Sequence, residues 1–400
     1  MLFDLQALNE YCGKWGSPLY VFDEDAFVRN YRHFEECFKN IYKNYTVSYS
    51  YKTNYSPYIC RLVHGMGGYA EVVSDMELMI ARMVGNTDDH IVYNGPCKGP
   101  LTKEFMLHGG IVNADNFEEL DRILSFAREN PDRDIRFGIR VNIDIGQQFI
   151  SRFGIDEEDL CTVFGAVSRV SNAAIIGLHC HIGRSRGIEA WKNRTRTMLD
   201  IADRFFAEPP AYISLGSGMF GEMDPALARQ FGDDLPCYED YAEAVARPFA
   251  EHYSGSVQPI LFTEPGTTLI NKYVSFISQV TAVKHIKGKN YIVLNGSIHN
   301  LGEICELKQL PIQIIKASAN RTELVRNADF VGYTCLEQDI LFKNYSGEIG
   351  TGDYVVFDNV GGYSIVSKPP FINPNCCMVS SNGSVIKRAE TVEEVICTYE

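Results

Sequence analysis

Apolar residues recur along the first two thirds of the chain in two alternating textures. Short β-prone runs occupy 45–52 (YTVSYSYK), 69–74 (YAEVVS), 91–94 (IVYN), 111–113 (IVN), 135–142 (IRFGIRVN), 175–180 (IIGLHC), 212–216 (YISLG) and 259–263 (PILFT). Longer stretches with helical spacing lie between them, covering Asp75–Met83, Phe117–Glu129, Glu157–Val170, Ala190–Phe206 and Tyr238–His252, with Asp75 and Asn116 where N-caps are expected. Eight strands alternating with helices is the count of a (β/α)₈ barrel. The rival, an open doubly wound sheet, lacks its G-x-G-x-x-G turn after the first strand. The expected fold class is α/β, a TIM barrel.

After residue 270 the texture changes. Tyr273–His285, Tyr291–Leu294, Ile312–Lys316, Phe330–Thr334, Tyr354–Asp358 and Ser364–Val366 are β-prone pieces parted by turn residues such as Lys287-Gly288-Lys289. No long helical pattern separates them, which predicts a C-terminal antiparallel β domain. Pro18–Phe22 could add a strand to it. The expected division is 24–268 for the barrel, with 1–23 and 269–400 for the β domain.

Composition narrows the function. The 37 Lys and Arg against 51 Asp and Glu leave a net charge of −14, which argues against a protein built to hold nucleic-acid phosphates. Twelve cysteines are scattered without a C-x-x-C pair, so zinc-ribbon and thioredoxin-like readings lack their spacing. No basic segment followed by an apolar region marks the start, and no apolar run nears the ~20 residues that span a bilayer. The expectation is a cytoplasmic protein with free thiols, no membrane segment and no nucleic-acid partner.

In such a barrel the chemistry belongs at the C-terminal ends of the strands. Lys52, Ser74, Arg140, His179, His181, Gly216-Ser217-Gly218 and Glu264 all fall there. Lys52 is either a solvated surface lysine or, desolvated beside Tyr49 and Tyr51, an imine-forming amine. The Gly216-Ser217-Gly218 stretch is either a plain turn or a place where backbone N–H groups approach a phosphate. His179 and His181 share a strand face. No neighbouring carboxylate has suitable spacing to complete a metal site, so core packing or cofactor stacking is expected and no metal. Glu264 is either a turn carboxylate or the group that fixes the proton of a ring nitrogen. An amine, a phosphate nest, a stacking ring and that carboxylate together describe a pyridoxal 5'-phosphate site.

At this point the sequence resembles a family, the fold-type III pyridoxal-phosphate decarboxylases that act on diaminopimelate, ornithine and arginine, and most closely the diaminopimelate branch. The resemblance runs over nearly the whole chain, from Gly16-Ser17-Pro18-Leu19-Tyr20-Val21-Phe22-Asp23 through Tyr51-Lys52-Thr53-Asn54 and Val73-Ser74-Asp75-Met76-Glu77-Leu78. It continues through Gly95-Pro96-Cys97-Lys98, Ser151-Arg152-Phe153-Gly154-Ile155, His179-Cys180-His181-Ile182-Gly183 and Glu264-Pro265-Gly266. It ends with Cys335-Leu336-Glu337-Gln338-Asp339 and Gly361-Gly362-Tyr363. It implies an alanine-racemase-like barrel and a homodimer with shared active sites.

The resemblance also implies residue roles. Lys52 would carry the cofactor as an imine, His181 would stack on its ring, and Glu264 would keep the ring nitrogen protonated. Gly216, Ser217, Gly218 and Tyr363 would surround the phosphate, with Ser74, Glu77 and Arg140 as supporting polar positions. Cys335 would reach the partner's site and return a proton to Cα; by itself it reads as a small buried hydrophobe.

Departures bear on the substrate. The family's Glu-Pro-Gly-Arg ends here in Thr267, losing a cation. Arg184 replaces the usual serine after His-x-Gly, and would restore positive charge nearby. Leu336 replaces the acidic residue that follows the catalytic cysteine, and Leu310-Pro311 stands where the diaminopimelate enzymes show Arg-Pro. Arg184, Thr267, Leu336 and Asp339 are the candidate substrate contacts. The expected reaction is decarboxylation of a small amino acid, meso-diaminopimelate to lysine first. A carboxynorspermidine-type or siderophore-pathway substrate is the alternative, since an apolar Leu336 leaves a distal ammonium unpaired. Racemisation on the same cofactor and a non-enzymatic carrier role fit less well, the carrier because it lacks a β domain.

Overall fold

The computed structural model describes residues 3–144, 150–317 and 322–399, which divide into two compact units. One comprises Asn30–Gly221 and Leu235–Thr268, the other Met1–Arg29, Glu222–Asp234 and Leu269–Glu400. A first strand, β1 (Leu19–Phe22), belongs to the second unit. The barrel unit follows with β2 (Tyr45–Ser50), β3 (Tyr69–Val72), β4 (Ile91–Tyr93), β5 (Ile111–Ala114), β6 (Ile135–Asn142), a two-residue β7 (Ile155–Asp156), β8 (Ala173–His179), β9 (Tyr212–Ser214) and β10 (Ile260–Thr263). Eight of them pair in parallel in the order β5-β4-β3-β2-β10-β9-β8-β6, and β5 pairs with β6 to close the ring. All eight expected strands are present, and the expected (β/α)₈ barrel is the fold.

Alternation along each strand sends one set of side chains into the barrel. A lower layer is aromatic: Tyr69 packs on Phe262 at 5.0 Å between ring centroids, and Phe262 on Tyr212 at 6.0 Å. Gly138 and Gly177 make room for Tyr212, since a Cβ at either would lie 2.0 Å from its hydroxyl or 2.3 Å from its ring. Two residues further along, the inward positions turn polar: Ser50, Glu71, Ser214 and Glu264, each at most 2% exposed. Burying such groups is costly unless they bond one another.

One of the two expected helix caps needs correction. Ser74, not Asp75, caps the helix Asp75–Met83; its extended backbone aims the hydroxyl at the Glu77 N–H, 3.2 Å away. Asp75 is instead the first helical residue and accepts the Tyr93 hydroxyl (3.0 Å) and the Leu101 N–H (3.2 Å). Asn116 caps Phe117–Glu129 as expected, accepting from Glu119 N at 2.9 Å.

The other unit is built on a nine-stranded sheet: β1 with β11 (Val274–Ile286), β12 (Lys289–Leu294), β13 (Ile312–Ile315), β14 (Thr322–Val331), β15 (Ile340–Gly350), β16 (Tyr354–Phe357), β17 (Cys377–Ser380) and β18 (Val385–Lys387). Its main path is β15-β14-β12-β11-β1-β17-β18, with β16 also on β11 and β13 on β16. The pairing is mostly antiparallel, but β1–β17 and β12–β14 are parallel. These pairs are joined through long connections, so no hairpin dictates their direction. Pro18–Phe22 does supply a strand. Ser364–Val366 does not: it lies in turns beside Tyr363, whose φ is +54°. The unit also takes in Glu222–Asp234, placed in the barrel by the expected boundaries. Lys272 pairs with Glu222 at 2.8 Å, and the Gln230 amide donates to Gln309 O at 2.8 Å.

Candidate active site

Lys52 lies just past β2, in the turn Tyr51–Thr53. Its Nζ is 2.5 Å from Glu71 Oε2 and 3.1 Å from Ser50 Oγ, and the Ser50 hydroxyl donates to the same Glu71 oxygen. The lysine side chain is 29% exposed and the carboxylate 1%, so the amine is half-open while its counter-charge is dry.

A chain of hydrogen bonds crosses the barrel from there. The Asn94 amide donates to Glu264 Oε1 at 2.8 Å and contacts Glu71 Oε1 at 3.4 Å. The Asn113 amide donates to Asn94 Oδ1 (2.7 Å), and the Tyr212 hydroxyl donates to Asn113 Oδ1 (2.7 Å). The Ser214 hydroxyl adds a bond of 2.7 Å to Glu264 Oε1.

Glu264 is the centre of this net. Burial alone would raise its carboxyl, but His179 holds it well below the usual carboxylate range. His179 Nε2 lies 3.1 Å from Oε1 and 3.2 Å from Oε2. His179 Nδ1 is buried with no partner. His181 Nδ1 accepts the Ser217 N–H at 3.3 Å, which leaves its proton on Nε2. Burial pushes the His181 imidazole down to about 4, so it is a neutral flat ring at pH 7.

The loop after β9 supplies the second half of the site. Gly216 and Gly218 have φ of +64° and +103°, and a Cβ at either would stand 2.5 Å from Cys180 O or 2.4 Å from Ile182 O. Only glycine lets the loop press against the end of β8. Behind it, the fully buried Arg194 of the helix Ile188–Phe205 donates to Leu215 O (2.9 Å), Ser217 O (2.8 Å) and Ile182 O (2.9 Å). Burial lowers this guanidinium to about 10, leaving it charged at neutral pH. With those carbonyls occupied, the loop is fixed and a positive charge stands behind it.

Lys52, His181, Gly216, Ser217, Gly218 and Glu264 therefore converge on one mouth. Arg140 lies deeper, 3.1 Å from Asp115 Oδ1 and over the Phe153 ring at 4.7 Å. Ser74 and Glu77 serve the turn between β3 and its helix: Glu77 accepts the Val73 N–H at 2.8 Å, and burial pushes its carboxyl up to about 7. Arg184 is exposed, and the half-buried Thr267 opens the helix Thr267–Ile270.

In the β unit, Cys335 is exposed and Leu336 half-buried. Asp339, expected to touch substrate, is 2% exposed and spent on its own loop. Its Oδ1 takes the Ile298 N–H (2.7 Å) and its Oδ2 the Thr334 hydroxyl (2.6 Å). Tyr363 keeps a left-handed backbone, a conformation bulky residues rarely hold away from functional sites.

Glu71, Asn94, Asn113, Ser214 and Arg194 went unrecognised in the sequence. Glu71 had a signal, a carboxylate inside an otherwise apolar strand. Arg194 had none, since its helix reads as an ordinary amphipathic one.

The family described as "Pyridoxal-dependent decarboxylase, pyridoxal binding domain" matches residues 24–271. The diaminopimelate decarboxylase of Aquifex aeolicus is 23% identical over 410 residues, covering 98% of this chain and 93% of that protein. That of Methanocaldococcus jannaschii is 25% identical over 415 residues, covering 97% and 92%. Among solved structures, the M. jannaschii diaminopimelate decarboxylase superposes with a TM-score of 0.84 at 24% identity, covering 98% of this chain and 94% of the other. A lysine/ornithine decarboxylase from Vibrio vulnificus, complexed with putrescine, gives 0.78 at 17%, covering 95% and 99%.

Proposed function

The chain belongs to the pyridoxal-dependent decarboxylases and is a pyridoxal-phosphate-dependent carboxy-lyase, and within that family we propose that it converts meso-diaminopimelate to lysine. The residues fit the cofactor. Lys52 would hold it, His181 would lie against its ring, and Glu264 would face its ring nitrogen. Gly216, Ser217 and Gly218 would take its phosphate, in a loop whose two glycines let it press against the residues that follow β8. Bound pyridoxal phosphate supplies an electron sink for the bond between Cα and the carboxylate.

The chain's own residues do the rest. Glu71 and Ser50 flank Lys52 Nζ and are placed to take the proton its ammonium must lose before it reacts as a nucleophile. Glu264 stays ionised through His179, Asn94 and Ser214, so it would hold a proton on the ring nitrogen of a bound cofactor. Neutral His181 would pack against the ring face without adding a charge that opposes that proton. Arg194 holds the phosphate loop in shape and adds positive potential. Glu264, 1% exposed and ringed by Asn94, Ser214 and His179, is the observation that carries the reading, because a carboxylate buried at a barrel mouth suits a cationic partner.

The Cys335 thiol, exposed on the β unit, supports a homodimer in which it protonates Cα in the other copy's site. Among the described residues every cysteine is free and no helix is long and apolar enough to cross a membrane. Both observations agree with a cytoplasmic setting.

A second reading rests on Thr267 and Leu336. Without the family's cation and acidic anchor, the site suits an amino acid joined to a larger acid or polyamine, of the carboxynorspermidine or siderophore-intermediate kind. The experiment is carbon dioxide release with product mass from meso-diaminopimelate, lysine, ornithine, arginine, carboxynorspermidine and citrate-conjugated diaminopropionate. Lysine from meso-diaminopimelate as the fastest reaction supports the first reading. Turnover of another compound with none of meso-diaminopimelate replaces it with the second.

A further inference from the structure

Away from the barrel mouth, the helices preceding β2 and β10 bring an imidazole, a thiol and a carboxylate together, with a second thiol beside the carboxylate. His33 and Cys37 are four residues apart on the helix Glu24–Lys39 and project from one face. Glu239 lies in the first turn of the helix Tyr238–His252, and Cys237 is its N-cap. His33 Nε2, Cys37 Sγ and a Glu239 carboxylate oxygen lie within 4.8 Å of one another, with His33 Nε2 3.0 Å from Glu239 Oε1. Cys37 and Cys237 are both hydrogen-bonding neighbours of that carboxylate. The backbone beneath is fixed: Tyr238 meets the Phe34 ring edge-on at 5.0 Å and donates its hydroxyl to buried Asn30 at 2.9 Å.

We propose that His33, Cys37, Cys237 and Glu239 form a structural site for a divalent transition metal of the zinc class. An imidazole, two thiolates and a carboxylate are the donors such an ion takes in tetrahedral sites. Metal–ligand bonds of about 2.0–2.3 Å put tetrahedral donors about 3.3–3.8 Å apart. The His33, Cys37 and Glu239 donors, within 4.8 Å of one another, reach that spacing by rotating the exposed His33 and Glu239 side chains, and Cys237 Sγ would turn to them from Asp240 Oδ2, 3.2 Å away.

The positive end of the helix Tyr238–His252 alone would repel a cation, and the carboxylate and thiolates supply the counter-charge. Burial and then the Glu239 charge push the Cys37 thiol up to about 12, so the metal-free cluster keeps its proton on sulfur. Binding breaks the S–H bonds of Cys37 and Cys237, forms two sulfur–metal bonds and releases both protons to solvent. The ion would join the helix before the first barrel strand to the helix before the last. Those strands, β2 and β10, are parallel neighbours in the ring. A clip there ties segments some 200 residues apart in sequence, the kind of crosslink that restricts an unfolded chain most.

The test is titration of the purified full-length holoenzyme with Co²⁺, read in the visible d–d bands to the red of cofactor absorption, followed by displacement with Zn²⁺. The expected result is one equivalent with thiolate-tetrahedral bands. Affinity should weaken about 100-fold in His33→Gln and in Cys37→Ser. Zn²⁺ should raise the wild-type thermal midpoint by about 2–4 °C and leave the variants unmoved. Decarboxylase turnover stays the same in all three. No bands in the wild type would overturn the proposal. So would bands of equal strength in wild type and His33→Gln, which would place the metal on other cysteines. His33 is half-exposed, so His33→Gln keeps the test decisive should Cys37→Ser fail to fold.

Discussion

Replacing Glu264 with Gln separates the charge of that side chain from its shape. In the wild type every neighbour donates: Asn94 and Ser214 to Oε1, and His179 Nε2 within reach of both oxygens. A glutamine can keep its carbonyl on Asn94 and Ser214 and turn its NH₂ to His179 Nε2. His179 then has to give up the proton there, and Nδ1, buried without a partner, is free to carry it. The fold therefore accommodates the change, at a cost of about 1–2 kcal/mol for one weakened bond.

The chemical cost is larger. A unit charge at 4 Å from a cation is worth about 4 kcal/mol at an effective dielectric of ~20, and each 1.36 kcal/mol is tenfold in rate. Loss of that charge should lower kcat by about 10²–10³. Cofactor occupancy should change by less than about tenfold, because the phosphate loop and Lys52 are untouched. The assay pairs carbon dioxide release with cofactor absorbance and a thermal melt on the same preparation. Parallel losses of turnover and occupancy, or a kcat within threefold of wild type at full occupancy, would refute the assignment of Glu264 to the ring nitrogen.

Three further outcomes follow from the same geometry. Burial raises the Glu77 carboxyl from about 4.3 unfolded to about 7 folded. The folded state thus prefers the acid form, and stability is lost as pH rises from about 4.3 through 7. Glu77→Gln, which keeps an acceptor for the Val73 N–H, should therefore stabilise by about 2–3 kcal/mol more at pH 8 than at pH 5 in urea unfolding, and a pH-independent difference would refute it. Arg194→Met removes three bonds to the carbonyls of Leu215, Ser217 and Ile182. It should weaken cofactor binding about tenfold or more with kcat at saturating cofactor largely retained, whereas an unchanged dissociation constant would deny the arginine its hold on the loop. Mixing inactive Lys52→Ala with inactive Cys335→Ala should restore about a quarter of wild-type activity if each site takes one residue from each copy, and no recovery after verified subunit exchange would sink the shared-site homodimer.

The barrel was legible because parallel strands buried on both faces leave short apolar runs at regular spacing, and all eight runs are strands. The site was legible for a related reason. Position along the strands is readable from the sequence, and it places Lys52, His181, Gly216 and Glu264 just past strand ends. The β unit was harder to read. β15, with Lys343, Asn344 and Glu348 along it, alternates too weakly to stand out, and β1 and β17 pair across more than three hundred intervening residues. Thr267 and Leu336 stood out only as departures from a resemblance, and nothing in their own surroundings names a ligand.

The residues hidden from sequence reasoning are those whose purpose appears only on closure of the ring. Gly138 and Gly177 look like defects in otherwise good strands, since glycine weakens a strand interior. Once β6 lies between β5 and β8, both prove to be the space that Tyr212 occupies. Tyr212 in turn orients Asn113, Asn113 orients Asn94, and Asn94 donates to Glu264. Each of these groups taken singly is a buried polar liability. Linked, each satisfies the next, and the chain of donors ends on the Glu264 carboxylate. Two absent side chains at the waist of the barrel thereby help to set the charge at its mouth.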